Sequence, residues 1–122
     1  MARVLVVDDE PANRLLIVEL LKYAGHQAIE AEDGLQGLTL AISEQPDLVI
    51  MDLSMPGMHG TQFIKTLRAQ PETLHTRVAL YTGTTIDAML RDFMQMHGIA
   101  HVIPKPAEPE EVLRAVYLAL EA

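Results

Sequence analysis

Short apolar runs separated by longer stretches of helical period set the strongest limit on what this chain can fold into. Val4-Leu5-Val6-Val7 and Leu48-Val49-Ile50-Met51 are continuous apolar tetrads. A strand covered on one face alternates, whereas an unbroken run is what a strand buried on both faces requires. Val78-Ala79-Leu80-Tyr81 and Ala100 to Ile103 read as two further strands. Gln27-Ala28-Ile29-Glu30-Ala31 alternates and reads as an edge strand. The segments between them are helical. Pro11 opens the first helix, where its missing N–H costs nothing, and Gly25 closes it. Its expected buried stripe is Leu16, Ile17, Leu20, Leu21 and Ala24. Further helices are expected from Leu35 to about Ser43, Thr61 to about Arg68, Ile86 to His97 and Pro109 to Leu120. Phe63, Ile64 and Leu67 should face inward on the third. Gly98 ends the fourth, with Thr84 or Thr85 the expected cap at its start.

Five strand–helix units in this order imply an α/β fold, a parallel sheet with right-handed crossovers and helices on both faces. The units fill residues 1–122 without an internal repeat or linker, so a single domain is expected, with no room for a separate output domain. A chain of 122 residues suits one core, and an apolar content of 49% excludes a disordered chain. The net charge of −8 argues against a nucleic-acid surface, which needs clustered Lys and Arg. There is no cysteine, hence no disulfide or thiolate metal site. The apolar run after Met1-Ala2-Arg3 is too short for a signal peptide, and no run approaches a membrane span. A cytoplasmic location is expected.

Chemistry-bearing residues sit where the strands end. Asp8 and Asp9 follow the first strand, Asp52 the third, Thr82 the fourth and Lys105 the fifth. Open α/β sheets bind ligands beyond the carboxyl ends of their strands, where strand order reverses. Residues spread over nearly the whole chain therefore converge on one sheet edge. Asp8 or Asp9 alone could be a helix cap, and Lys105 alone a solvated loop lysine, but not the set in register. Three adjacent carboxylates repel, by about 4 kcal/mol for a pair near 4 Å at an effective dielectric of about 20. A cation relieves this, and oxygen-only ligands at a partly open site suit Mg²⁺. With the Lys105 charge and the Thr82 hydroxyl, the site is suited to placing a phosphoryl group on a carboxylate.

Asp8-Asp9, the run Met51-Asp52-Leu53-Ser54-Met55-Pro56-Gly57-Met58-His59-Gly60, Thr82-Gly83 and Lys105-Pro106 together resemble the receiver domains of bacterial two-component signalling. The resemblance covers the whole chain. It implies a flavodoxin-like (βα)5 doubly wound sheet of order 2-1-3-4-5. It implies that Asp52 is the phosphoacceptor, fed by a histidine kinase or histidine phosphotransfer protein. Asp9 and Asp52 would ligate Mg²⁺ directly and Asp8 through water, with the Ser54 backbone carbonyl completing the protein ligands. Thr82 and Lys105 would contact phosphoryl oxygens, and the Lys105-Pro106 bond would be cis. Such a domain is a signalling switch, catalysing only its own phosphorylation and dephosphorylation.

One position departs from the family pattern. An aromatic usually precedes the lysine by three residues and moves inward on activation; here that residue is Val102, which has one stiff χ1 and no ring to bury. A muted switch is expected, centred on Asp52 and its loops. His101 and Tyr81 cannot substitute, because strand alternation points them to the other face. Met89 and Met96 on the fourth helix flank the Ile86, Leu90, Phe93 stripe. Leu118, with Ala115 and Ala119, lies off the Val112, Leu113, Val116, Leu120 stripe of the last helix. The fourth helix, fifth strand and fifth helix are thus the expected homodimer or partner face. Met94 is expected to fill core, and Gly57 and Gly60 to serve backbone geometry. Rival readings fail on position. A haloacid-dehalogenase-type phosphatase needs Asp-x-Asp after the first strand, where Glu10 stands; a flavodoxin or dinucleotide fold needs its phosphate loop there, not at Thr82-Gly83-Thr84-Thr85.

Overall fold

The computed structural model describes residues 1–121. The strands are β1 (Arg3–Val7), β2 (Gln27–Ala31), β3 (Leu48–Met51), β4 (Arg77–Thr82) and β5 (His101–Pro104). The helices are α1 (Pro11–Tyr23), α2 (Gly34–Glu44), α3 (Gly60–Arg68), α4 (Ala88–Met96) and α5 (Pro109–Glu121). Every strand pairing is parallel, as the strand–helix units predicted, and the sheet order is β2-β1-β3-β4-β5, as the resemblance implied.

The continuous apolar runs are explained by two cores, one on each face. Successive strand side chains point to opposite faces. Leu5, Val7, Val49, Met51, Val78 and Leu80 pack against α2, α3 and α4. Val4, Val6, Leu48, Ile50, Ala79 and Tyr81 pack against α1 and α5. β2 lies at the edge with only Ala31 buried, which accounts for its alternation. Phe63, Ile64 and Leu67 are fully buried, each contributing roughly 1.5–3 kcal/mol of burial free energy. Gly60 is needed because a Cβ there would lie 2.6 Å from the Leu53 Cα; this contact seats α3 against the loop that carries Asp52. Gly25, Gly57 and Gly98 have φ of 89°, 85° and 69°, the left-handed region that glycine adopts without strain.

Several expectations need correction. α1 buries Ile17, Val18 and Leu21, while Leu16 and Ala24 are exposed. Leu15 to Val18 are all apolar, so periodicity alone does not set the phase; packing on the sheet does. In keeping with the sequence reading, neither Asp8 nor Asp9 caps α1; Glu10 holds the N-cap position. α4 begins at Ala88, and its cap is Asp87, which accepts from the Leu90 N–H; Thr84 and Thr85 lie upstream. A carboxylate is the better cap, and Ile86 instead packs against the core. On α5, Ala119 is buried, although Leu118 is exposed as expected. Met94 fills core, while Met89 and Met96 are 81% and 78% exposed. Among the described residues no helix is long and apolar enough to cross a membrane.

Candidate functional site

β1 and β3 are neighbours, and the strand order reverses between them. Asp8 and Asp52 therefore leave adjacent strands at the same sheet edge, with Thr82 and Lys105 alongside on β4 and after β5. Three of these strand ends close in the same way. The Asp8 Oδ1 accepts from the Glu10 N–H at 2.9 Å, the Asp52 Oδ1 from the Ser54 N–H at 3.1 Å, and the Thr82 Oγ1 from the Thr84 N–H at 3.1 Å. Short oxygen-bearing side chains favour this local turn. It fixes one oxygen of each carboxylate to its own loop and leaves the other for the centre of the site.

Those second oxygens meet at Lys105. Its Nζ donates to the Asp8 Oδ2 at 3.0 Å and to the Asp52 Oδ2 at 2.8 Å. The pairs are largely withdrawn from water: the side chains of Lys105, Asp8 and Asp52 are 18%, 3% and 11% exposed. Burial alone pulls the Lys105 pKa down, but the hydrogen bonds to Asp52 and Asp8, and their charges, outweigh it and hold the pKa above the ordinary lysine value. The lysine backbone is anchored as well, its N–H donating to the Thr82 carbonyl at 3.1 Å. The Lys105-Pro106 bond is cis, as the resemblance implied.

Asp8, Asp9 and Asp52 each offer an oxygen such that all lie within 4.8 Å of one another. Asp9 makes no hydrogen bond or ion pair among the described residues. One lysine thus faces three carboxylates, leaving a local negative charge that a hard divalent cation fits. The Ser54 hydroxyl lies 3.4 Å from that of Thr84 at the rim. The structure thereby brings together Asp8, Asp9, Asp52, Thr82 and Lys105.

This combination of fold and strand-end residues has known relatives. The sequence matches the family model for the response regulator receiver domain over residues 4–117. The chain belongs to that family. It is 34% identical over 120 residues to Protein PilH of Pseudomonas aeruginosa, covering 98% of each chain. It is 32% identical over 122 residues to Sporulation initiation phosphotransferase F of Bacillus subtilis, covering 98% of this chain and 96% of the relative. Among solved structures, the chemotaxis protein CheY4 of Vibrio cholerae superposes with a TM-score of 0.90 at 30% identity over 98% of each chain. A receiver domain is a signalling domain of two-component phosphorelays.

Two further residues of this receiver domain bear on the site: Arg14, which the sequence did not mark, and Tyr81, which strand alternation alone points away from it. Arg14 donates from Nη1 to the Asp8 carbonyl at 2.7 Å and from Nε to the Glu30 Oε1 at 3.0 Å, clamping the turn that carries Asp8 and Asp9. No local pattern signals a contact that spans β1, α1 and β2. Tyr81 does alternate to the α1/α5 face, yet its ring lies beneath the Lys105 ammonium, 4.8 Å from Nζ to the ring centroid. Val102, at the aromatic position of the family, is half-buried and lines an open groove of about 650 Å³ between α4 and β5, with Ile86, Met94 and Ile99.

Proposed function

We propose that this receiver domain accepts a phosphoryl group on Asp52 from a phosphohistidine of a histidine kinase or histidine phosphotransfer protein, with Mg²⁺. The observation that carries the reading is the half-buried ammonium of Lys105 bridging Asp8 and Asp52 beside the Asp9 carboxylate, which has no partner among the described residues. An Asp52 oxygen attacks phosphorus, the bond from phosphorus to the donor nitrogen breaks, and that nitrogen keeps the electron pair. The product is an acyl phosphate. Lys105 then donates to phosphoryl oxygens. The Thr82 hydroxyl uses a lone pair on the Thr84 N–H and so keeps its own proton to donate. Asp8, Asp9, Asp52 and the Ser54 backbone carbonyl would hold Mg²⁺, which when bound neutralises charge on the transferring group.

The 122 residues act as one cytoplasmic receiver domain in this reading. Its output or homodimer face is α4, β5 and α5, marked by the exposed Met89, Met96 and Leu118. The test of the phosphoacceptor is incubation with Mg²⁺ and acetyl phosphate, followed by intact mass. One phosphoryl group per chain is expected; EDTA should prevent it. Asp52→Asn should abolish it, because an amide forms no acyl phosphate. Undiminished labelling of Asp52→Asn would overturn the assignment.

A further inference from the structure

We propose that Tyr81 is a positioning residue for the phosphoryl transfer, its ring face holding the Lys105 ammonium at the reaction centre. The role in transfer rests on the assignment of Asp52 as phosphoacceptor; the contact itself does not. Tyr81 is the penultimate residue of β4 and is only 4% exposed, so its ring cannot turn away into solvent. It is fixed in the core between the sheet and α1 and α5. The Lys105 Nζ lies 4.8 Å from the ring centroid, inside the roughly 6 Å range over which an aromatic face attracts an ammonium.

The lysine needs such a hold. It reaches the site on a flexible four-carbon stem, from a loop 97 residues away in sequence from Asp8 and 53 from Asp52. Both of its present partners are oxygens that the reaction itself claims. The Asp52 carboxylate becomes an acyl phosphate, and a cation bound by Asp8 and Asp52 competes for the same atoms. When those hydrogen bonds are lost, the ammonium would be free to swing outward. The ring contact depends on neither oxygen, so it keeps the charge within reach of the incoming phosphoryl group. The ring face does this, not the hydroxyl. The phenol pKa is raised by burial, lowered by the Lys105 charge and raised again by Asp8 and Asp52, and stays above its ordinary value. Tyr81 is thus neutral at physiological pH and supplies no base. A phenylalanine should serve equally well, whereas a leucine of similar bulk has no electrostatic face.

The test compares wild type, Tyr81→Phe and Tyr81→Leu. In proton NMR, the Lys105 methylene resonances nearest Nζ should show an upfield ring-current shift in wild type and Tyr81→Phe. That shift should persist with Mg²⁺ and vanish in Tyr81→Leu. With Mg²⁺ and acetyl phosphate, Tyr81→Phe should match wild type, and Tyr81→Leu should be phosphorylated roughly three- to tenfold more slowly. Mg²⁺ affinity should be the same in all three, since the ring holds the ammonium equally with and without the cation. Equal rates for Tyr81→Leu and wild type would overturn the proposal, as would a Tyr81→Phe rate as low as that of Tyr81→Leu. Should Tyr81→Leu fail to fold, the wild-type spectrum decides: loss of the Lys105 shift on adding Mg²⁺ overturns the proposal. A wild type that takes no phosphoryl group overturns the Asp52 assignment and, with it, the role of Tyr81 in transfer. A competent wild type with indifferent variants overturns the role of Tyr81 alone.

Discussion

Replacing Lys105 by methionine isolates the electrostatic centre of the site. The substitution keeps an unbranched, apolar stem and removes the charge, leaving Asp8 and Asp52 facing each other without the ammonium that now lies 3.0 and 2.8 Å from them. Their side chains are only 3% and 11% exposed, so water cannot take over. Removing one partner of a buried pair costs about 3–5 kcal/mol. Lys105 itself keeps 18% exposure, which puts the expected loss at the lower end, about 3 kcal/mol. Urea unfolding in EDTA near neutral pH, followed by far-UV circular dichroism, measures it. Mg²⁺ should then stabilise Lys105→Met more than wild type, because the ammonium no longer competes for the Asp8 and Asp52 oxygens and ligand binding stabilises by mass action. The pH dependence has a definite sign. A folded-state lysine pKa above the unfolded value gives stability that is full below the unfolded pKa, near 10.5, and is lost as pH rises through the folded one. The stability gap between wild type and variant should therefore narrow in the alkaline range. A loss in EDTA of no more than about 1 kcal/mol, the surface-pair value, would refute the reasoning.

The Mg²⁺–beryllofluoride complex mimics the phosphorylated state, and Val102 has no ring to bury in the α4–β5 groove. NMR shift changes should therefore cluster at residues 8–10, 52–60, 82–85 and 104–106; changes of similar size throughout 86–97 would show a full α4 rearrangement. The exposed apolar residues of α4 and α5 should carry self-association or partner binding, so Leu118→Glu should weaken it. Sedimentation that stays monomeric with and without phosphorylation, together with unchanged partner binding by this variant, would remove that face from the account.

What sequence could and could not reveal follows from the range of the forces involved. Val4 to Val7 and Leu48 to Met51 are legible because double-faced burial demands apolar residues at every position, a rule local to the strand. Asp8, Asp52, Thr82 and Lys105 are legible because each stands at a strand end, and parallel register brings strand ends together. The phase of α1 is not legible: Leu15, Leu16, Ile17 and Val18 give periodicity nothing to choose between, and contact with the sheet selects Ile17 and Val18. The start of α4 is ambiguous for a related reason, since Thr84, Thr85 and Asp87 are all capable caps and the packing of Ile86 decides among them. The contacts of Arg14, and of Lys105 with Tyr81, escape for another reason. Alternation fixes where a Cβ points, but not where a long stem such as that of Lys105 or Arg14 finally carries its charge.

The most direct test of the central claim is chemical mapping of the phosphorylated residue. After reaction with acetyl phosphate and Mg²⁺, borohydride reduction converts an aspartyl phosphate to homoserine, which peptide mass spectrometry can place in the chain. Homoserine is expected at position 52 alone, and none when EDTA is present during phosphorylation. Homoserine at Asp8 or Asp9, or phosphate that survives reduction on a serine or threonine, would contradict it.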